Sequence, residues 1–120
     1  MSDSSQSESP LPILALVSDL MFSSRISDEA RAAGSPLKIV RRLAQLPDLD
    51  GRLLIVDLNQ PGATAAAASW AQLRGRPVVG FVSHVDAAAI AEARAKGIVT
   101  IMARSKFVEA LPGLVSPPMD

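Results

Sequence analysis

Arg52-Leu53-Leu54-Ile55-Val56-Asp57-Leu58-Asn59-Gln60-Pro61-Gly62 decides how the rest of the chain is read. Four apolar residues in a row, ending in the β-branched pair Ile55-Val56, read as a strand buried on both faces. The run then meets a carboxylate and a Pro-Gly turn. A charge is costly inside a core, so Asp57 is expected at the strand tip, facing water or a cation. In open α/β sheets that edge is where ligands bind.

Outward from this strand, further apolar runs alternate with helical patterns. Leu11–Val17 reads as a first strand. Met21–Ala33 places Phe22, Ile26, Ala30 and Ala33 at helical spacing, with Gly34 as the residue after its last turn and Pro36 preventing continuation. Leu37–Val40 is a short second strand, and Arg41–Leu49 supports one or two helical turns at most. After the central strand, alanine-rich Ala63–Leu73 is a strong helix former that ends at Arg74-Gly75. Pro77–Val82 is the fourth strand. Asp86 caps a helix over Ala87–Lys96, closed by Gly97. Ile98–Met102 is the fifth strand, and a last helix starts near Ser105 and meets Pro112 early. Five strands alternating with helices predict an α/β domain with a parallel sheet and helices on both faces, because parallel neighbours need crossover connections. The domain is expected over residues 11–114, between a disordered tail (1–10) and a frayed C-terminus (115–120).

Composition narrows the function classes. The chain is 48% hydrophobic and 20% charged, with twelve basic and twelve acidic residues. That suits one packed domain and lacks the positive footprint of a nucleic-acid binder. There are no cysteines, so disulfides, thiolate metal sites and a cysteine nucleophile are excluded. The Ser-rich, acidic start lacks the basic and apolar regions of a signal peptide, and no apolar run is long enough to span a bilayer. A cytoplasmic location is expected. Abundant alanine, and arginine in excess of lysine, hint at a GC-rich bacterial genome. His84 stands beside Ser83 and near Asp86, but adjacent residues at a strand end point apart, so a Ser-His-Asp nucleophile is not expected. Trp70 reads as a core anchor. No dinucleotide fingerprint, P-loop or zinc-protease motif is present.

The whole order resembles the response-regulator receiver domain, a family with the CheY-like, flavodoxin-like fold. Asp57-Leu58-Asn59-Gln60-Pro61-Gly62 is similar to the family's D-x-x-M-P-x after strand three, and Val17-Ser18-Asp19 to its hydrophobic-acid-acid ending of strand one. Ile26, Pro77-Val78-Val79 and the Ala93–Gly97 helix ending also fit. The resemblance implies a doubly wound sheet of order 2-1-3-4-5, here with shortened second and fifth helices. It also implies that Asp57 is the phospho-acceptor. Asp19, Asp57 and the backbone carbonyl of Asn59 would be contacts for Mg²⁺, which demands oxygen ligands.

Four positions depart from that pattern. Ser18 replaces an acid and should weaken Mg²⁺ binding. Val82 stands where a phosphate-contacting hydroxyl belongs, with Ser83 as a surrogate only if the strand end shifts by one residue. Ile101 replaces the switch aromatic. Arg104 replaces the family's lysine and keeps its charge in a longer, planar group that grips phosphate or neutralises Asp57 and Asp19; Lys106 lies nearby. Asp57 and Asp19 have simpler roles open to them too, as turn-bonding and helix-capping residues.

The expectation is a stand-alone degenerate receiver-like domain, a pseudo-receiver that signals by protein–protein contact. One alternative is a working response regulator phosphorylated on Asp57 by a histidine kinase. The other is small-molecule or anion binding at the switch-point crevice, where Gly62-Ala63-Thr64 opens a helix. A histidine kinase or a downstream effector is the expected partner, and a homodimer is allowed.

Overall fold

A computed structural model describes residues 11–83 and 86–117. The expected tail over 1–10 and His84 lie outside the described residues. The strands are β1 (Ile13–Leu16), β2 (Leu37–Val40), β3 (Leu53–Asp57), β4 (Val78–Val82) and β5 (Thr100–Ala103). They form one parallel sheet in the order β2-β1-β3-β4-β5, as expected. The helices are α1 (Leu20–Ala33), α2 (Ala63–Arg74), α3 (Ala87–Ala95) and α4 (Arg104–Leu114), with a 3-10 segment at Leu43–Asp48 between β2 and β3.

The period-two alternation of strands divides the core into two layers. Leu14, Leu16, Leu54 and Val56 point to the side covered by the 3-10 segment, α2 and α3, and pack with Trp70 and Ile98. Ile13, Ala15, Leu53 and Ile55 point to the other side, where α1 and α4 bring Phe22, Ile26, Phe107 and Leu111. The chain has three phenylalanines. All sit in this second layer, with ring centroids 4.9 Å apart for Phe22–Phe81, 4.7 Å for Phe81–Phe107 and 5.7 Å for Phe22–Phe107.

Trp70 is 1% exposed and its indole N–H donates to the Leu49 carbonyl at 2.8 Å. It anchors α2 in the core and pins the loop that follows the 3-10 segment. Gly34 ends α1 in the left-handed region (φ 73°). The Gly34 and Ser35 N–H groups then satisfy the last carbonyls of the helix, those of Arg31 and Ala30.

Several boundaries differ from the sequence reading, β1 being Ile13–Leu16 and not Leu11–Val17, and two of the differences have a clear physical cause. β5 begins at Thr100, not Ile98. Ile98 is buried, but its N–H donates to the Ala93 carbonyl, so it belongs to the cap of α3. The last helix runs through Pro112 to Leu114, because Leu111 and Val115 are both fully buried and hold its final turn against the sheet. Arg52 secures that end: its guanidinium donates to the carbonyls of Ser116 at 2.8 Å and Val115 at 3.3 Å. The Ser35 hydroxyl also donates to the Val115 carbonyl. The chain is therefore packed through Val115.

Candidate functional site

The C-terminal ends of β1, β3, β4 and β5 bring five sequence-selected residues to one edge: Asp19, Asp57, Asn59, Ser83 and Arg104. Each arrives for a local reason. Asp19 has extended backbone (φ −70°, ψ 117°) and is the N-cap of α1, its Oδ1 accepting the Phe22 N–H at 3.0 Å. Asp57 is the last residue of β3, half-buried, and its Oδ1 accepts the Asn59 N–H at 3.0 Å, the short-range turn bond aspartate favours. Gly62, in the left-handed region (φ 79°), completes the turn into α2. Beneath this turn lies the side chain of Leu58, in space that a β-carbon on Gly80 would invade, at 2.6 Å from Leu58 Cδ1.

Arg104, the first residue of α4, joins the other members. One Nη donates to Asp19 Oδ2 and the other to Ser83 Oγ, both at 3.4 Å. The guanidinium carbon lies 4.1 Å from the centre of the Phe22 ring. The Ser83 N–H donates in turn to Asn59 Oδ1. A hydrogen-bonded chain therefore runs from Phe22 N–H through Asp19, Arg104, Ser83 and Asn59 to Asp57. It links the loops that follow β1, β3 and β4 to the start of α4.

The ion pair itself is half-exposed, 39% for the Arg104 side chain and 46% for Asp19. An exposed pair of this kind contributes little to stability, and the cation–π contact adds only a modest attraction. Their value lies in fixing where the charge sits. The Phe22 N–H first of all, and then Arg104, hold the Asp19 carboxyl below its ordinary value, against the opposing effect of desolvation. At the opposite edge Arg76 does the same for Asp50, in a two-pronged pair at 3.0 and 3.2 Å.

A carboxylate with a lowered folded-state pKa stabilises the fold above its unfolded value and loses that contribution as pH falls through the folded value. Stability is therefore expected to decline as pH drops below about 5, through the ordinary carboxylate range and under it. Asp19→Asn keeps a good helix cap but removes the charge. Urea titrations across this range should give a shallower acid decline for Asp19→Asn than for the natural chain. An unchanged slope would show that the Phe22 N–H and Arg104 together do not hold the Asp19 carboxylate in solution.

The other departures are placed as follows. The Val82 side chain is 2% exposed and packed in the α2 layer, so it offers nothing to the edge, while exposed Ser83 brings its hydroxyl there. Ile101 packs partly buried against the same layer as Val82. Lys106 lies 3.9 Å from Glu109 on an exposed face of α4. The residue the sequence reading missed is Phe22. Its helical spacing marks it only as a core position, although its place three residues after the Asp19 cap puts it beside the site.

As arranged, these donors fit Mg²⁺ poorly. The ion takes near-octahedral oxygen coordination. Here Asp19 has both oxygens engaged, Ser18 contributes no charge, and a guanidinium stands beside the carboxylate. Among the described residues no group of three or more His, Cys, Asp or Glu side chains converges as a metal site. Among the same residues no helix is long and apolar enough to cross a membrane.

No protein-family model and no curated protein sequence matches the chain. Solved structures do. A CheY-like receiver domain protein from Methanospirillum hungatei matches with a TM-score of 0.73 at 14% identity, over 89% of this chain and 94% of its own. The phosphorylated cyanobacterial phytochrome response regulator RcpA matches at 0.74 and 13%, over 88% and 91%. HP1043, an orphan response regulator of H. pylori, matches at 0.71 and 12%, over 88% and 90%. With the sheet order and the acidic strand tips, these likenesses give the chain the fold of a CheY-like response-regulator receiver domain.

Proposed function

We propose that this protein is a degenerate receiver-like signalling domain that acts by protein–protein contact, with its switch edge held in one state by an internal cation. The supporting observation is the seat of Arg104, between Asp19 Oδ2 and Ser83 Oγ and over the Phe22 ring. A divalent ion at this edge would neutralise charge for an incoming phosphate and then leave. A guanidinium tethered to α4 cannot leave. It neutralises Asp19 where a metal would otherwise stand and links α4 to the loop ends. The interaction partner, a histidine kinase or an effector protein, then reads a fixed surface.

The rival reading is a working acceptor, and a specific feature favours it: Ser83 and Arg104 reach the same edge as Asp57, so a hydroxyl and a cation are both at hand. The experiment that separates the two is intact mass after incubation with acetyl phosphate and Mg²⁺, beside Asp57→Asn. No adduct is expected under conditions that label an active receiver domain. An adduct on the natural chain, absent from Asp57→Asn, would overturn the proposal and establish the acceptor.

A further inference from the structure

Phe22 touches both members of the Arg104–Asp19 pair, with different parts of itself. Its backbone N–H donates to Asp19 Oδ1 at 3.0 Å, and its ring lies under the Arg104 guanidinium at 4.1 Å. The ring is only 5% exposed, although it belongs to the first turn of α1, at the open edge of the sheet. The aromatic cluster holds it there. Phe81 and Phe107 both pack on it, and each belongs to an element that carries another member of the edge. Phe81 leads along β4 into Ser83. Phe107 stands three residues after Arg104 on α4, so one face of that helix presents a cation and a ring to the same aromatic neighbour.

We infer that Phe22 is a positioning residue for this edge: its ring seats the Arg104 guanidinium beside Asp19 and makes the place unfavourable for a divalent ion. The inference rests on the reading of Arg104 given above and adds the residue that chooses the cation. A guanidinium is planar and weakly hydrated, so its face can rest on a ring while its edge donates outward. Here the outward donors reach Asp19 Oδ2 and Ser83 Oγ. The negative face of the ring attracts the cation. Mg²⁺ takes near-octahedral oxygen coordination and gives up its waters reluctantly. An aromatic wall offers it no oxygen and crowds the waters that would complete its shell.

A ring that only fills the core behaves differently. Its loss lowers stability whether or not Arg104 is present. A positioning ring acts on the choice of cation, and only through Arg104, so its effect vanishes once the guanidinium is removed.

The test is calorimetric titration of the full chain with Mg²⁺, with Phe22→Leu placed in the natural and in the Arg104→Ala backgrounds. Leucine keeps the backbone N–H and an apolar side chain and removes the π face. Arg104→Ala should raise Mg²⁺ affinity. Phe22→Leu should raise it about two- to five-fold, the size of one cation–π contact at a partly exposed site, and should add nothing in the Arg104→Ala background. Ile26→Val, at a fully buried position of the same layer, thins the packing without removing a ring and should leave the affinity unchanged. Phe22→Met, a flexible filler of the same space, takes the place of Phe22→Leu if leucine prevents folding. If Arg104→Ala raises the affinity and Phe22→Leu does not, Phe22 has no positioning role and the reading of Arg104 stands. An equal gain in both backgrounds also ends the inference, because the ring then acts without the guanidinium. If Arg104→Ala raises nothing, the internal-cation reading fails and the inference fails with it.

Discussion

Trp70→Ala is expected to destabilise the protein by about 3–5 kcal/mol, the cost of emptying a large aromatic site in a core that closes only partly. The side chain is 1% exposed. It fills the space between β1, β3, the 3-10 segment and α2, alongside Leu14, Leu46, Leu54 and Val56. Deleting it also leaves the Leu49 carbonyl without the indole N–H that now bonds it. The loop from Leu49 to β3 should loosen first. Urea unfolding followed by circular dichroism measures the loss, and Trp70→Phe separates its two parts. Phenylalanine retains most of the apolar volume and lacks the donor, so it should fall between the natural chain and Trp70→Ala. A loss under about 1 kcal/mol for Trp70→Ala would mean that α2 is not packed as described.

The second large effect is a gain. Ser18→Asp combined with Arg104→Lys should raise Mg²⁺ affinity by at least about thirty-fold. At about 4 Å in a water-like medium one added carboxylate contributes about 1 kcal/mol per unit of cation charge, hence about 2 kcal/mol toward a dication. Lysine also withdraws the planar fork that now holds Asp19 Oδ2 and Ser83 Oγ together. Calorimetric titration with Mg²⁺ reads the affinity directly. If the double variant binds Mg²⁺ no better than the natural chain, Arg104 and Ser18 are not what weakens the site. If the natural chain already binds tightly, the internal-cation account fails at its first step. The single variants divide the effect: Ser18→Asp alone adds charge with the guanidinium still seated, and Arg104→Lys alone frees Asp19 with one acid still missing.

The two variants act on different links between sequence and function. Trp70 is needed to build the scaffold that carries the edge, and its effect is one of packing. Ser18 and Arg104 leave the scaffold alone and change what the edge can bind. The half-exposed Arg104–Asp19 pair contributes little to stability, so loss of function without loss of fold is the expected signature of changes at Arg104.

Much of this protein follows from its sequence alone. Runs such as Leu53–Val56 have to be buried on both faces, and helix-forming segments between them have to cross over, so a parallel sheet with two helical layers results. Capping residues act locally, which is why Asp19, Gly34, Asp86 and Gly75 were legible as helix ends. Local chemistry also fixed Asp57 at a strand tip. What it did not fix was the company each residue keeps. Ile98 read as strand because it is apolar, yet its N–H is spent on the cap of α3. Pro112 read as a stop, yet burial of Leu111 and Val115 carries the helix past it. Above all, Arg104 meets Asp19 across 85 positions of chain, and it meets the Phe22 ring because β1 and β5 end at the same edge of a sheet whose order is not their order in the chain. Spacing along a sequence encodes neighbours within a helix or strand. Contacts between loops depend on register and layer packing, and only the tertiary structure decided that Arg104 meets Asp19 and Ser83.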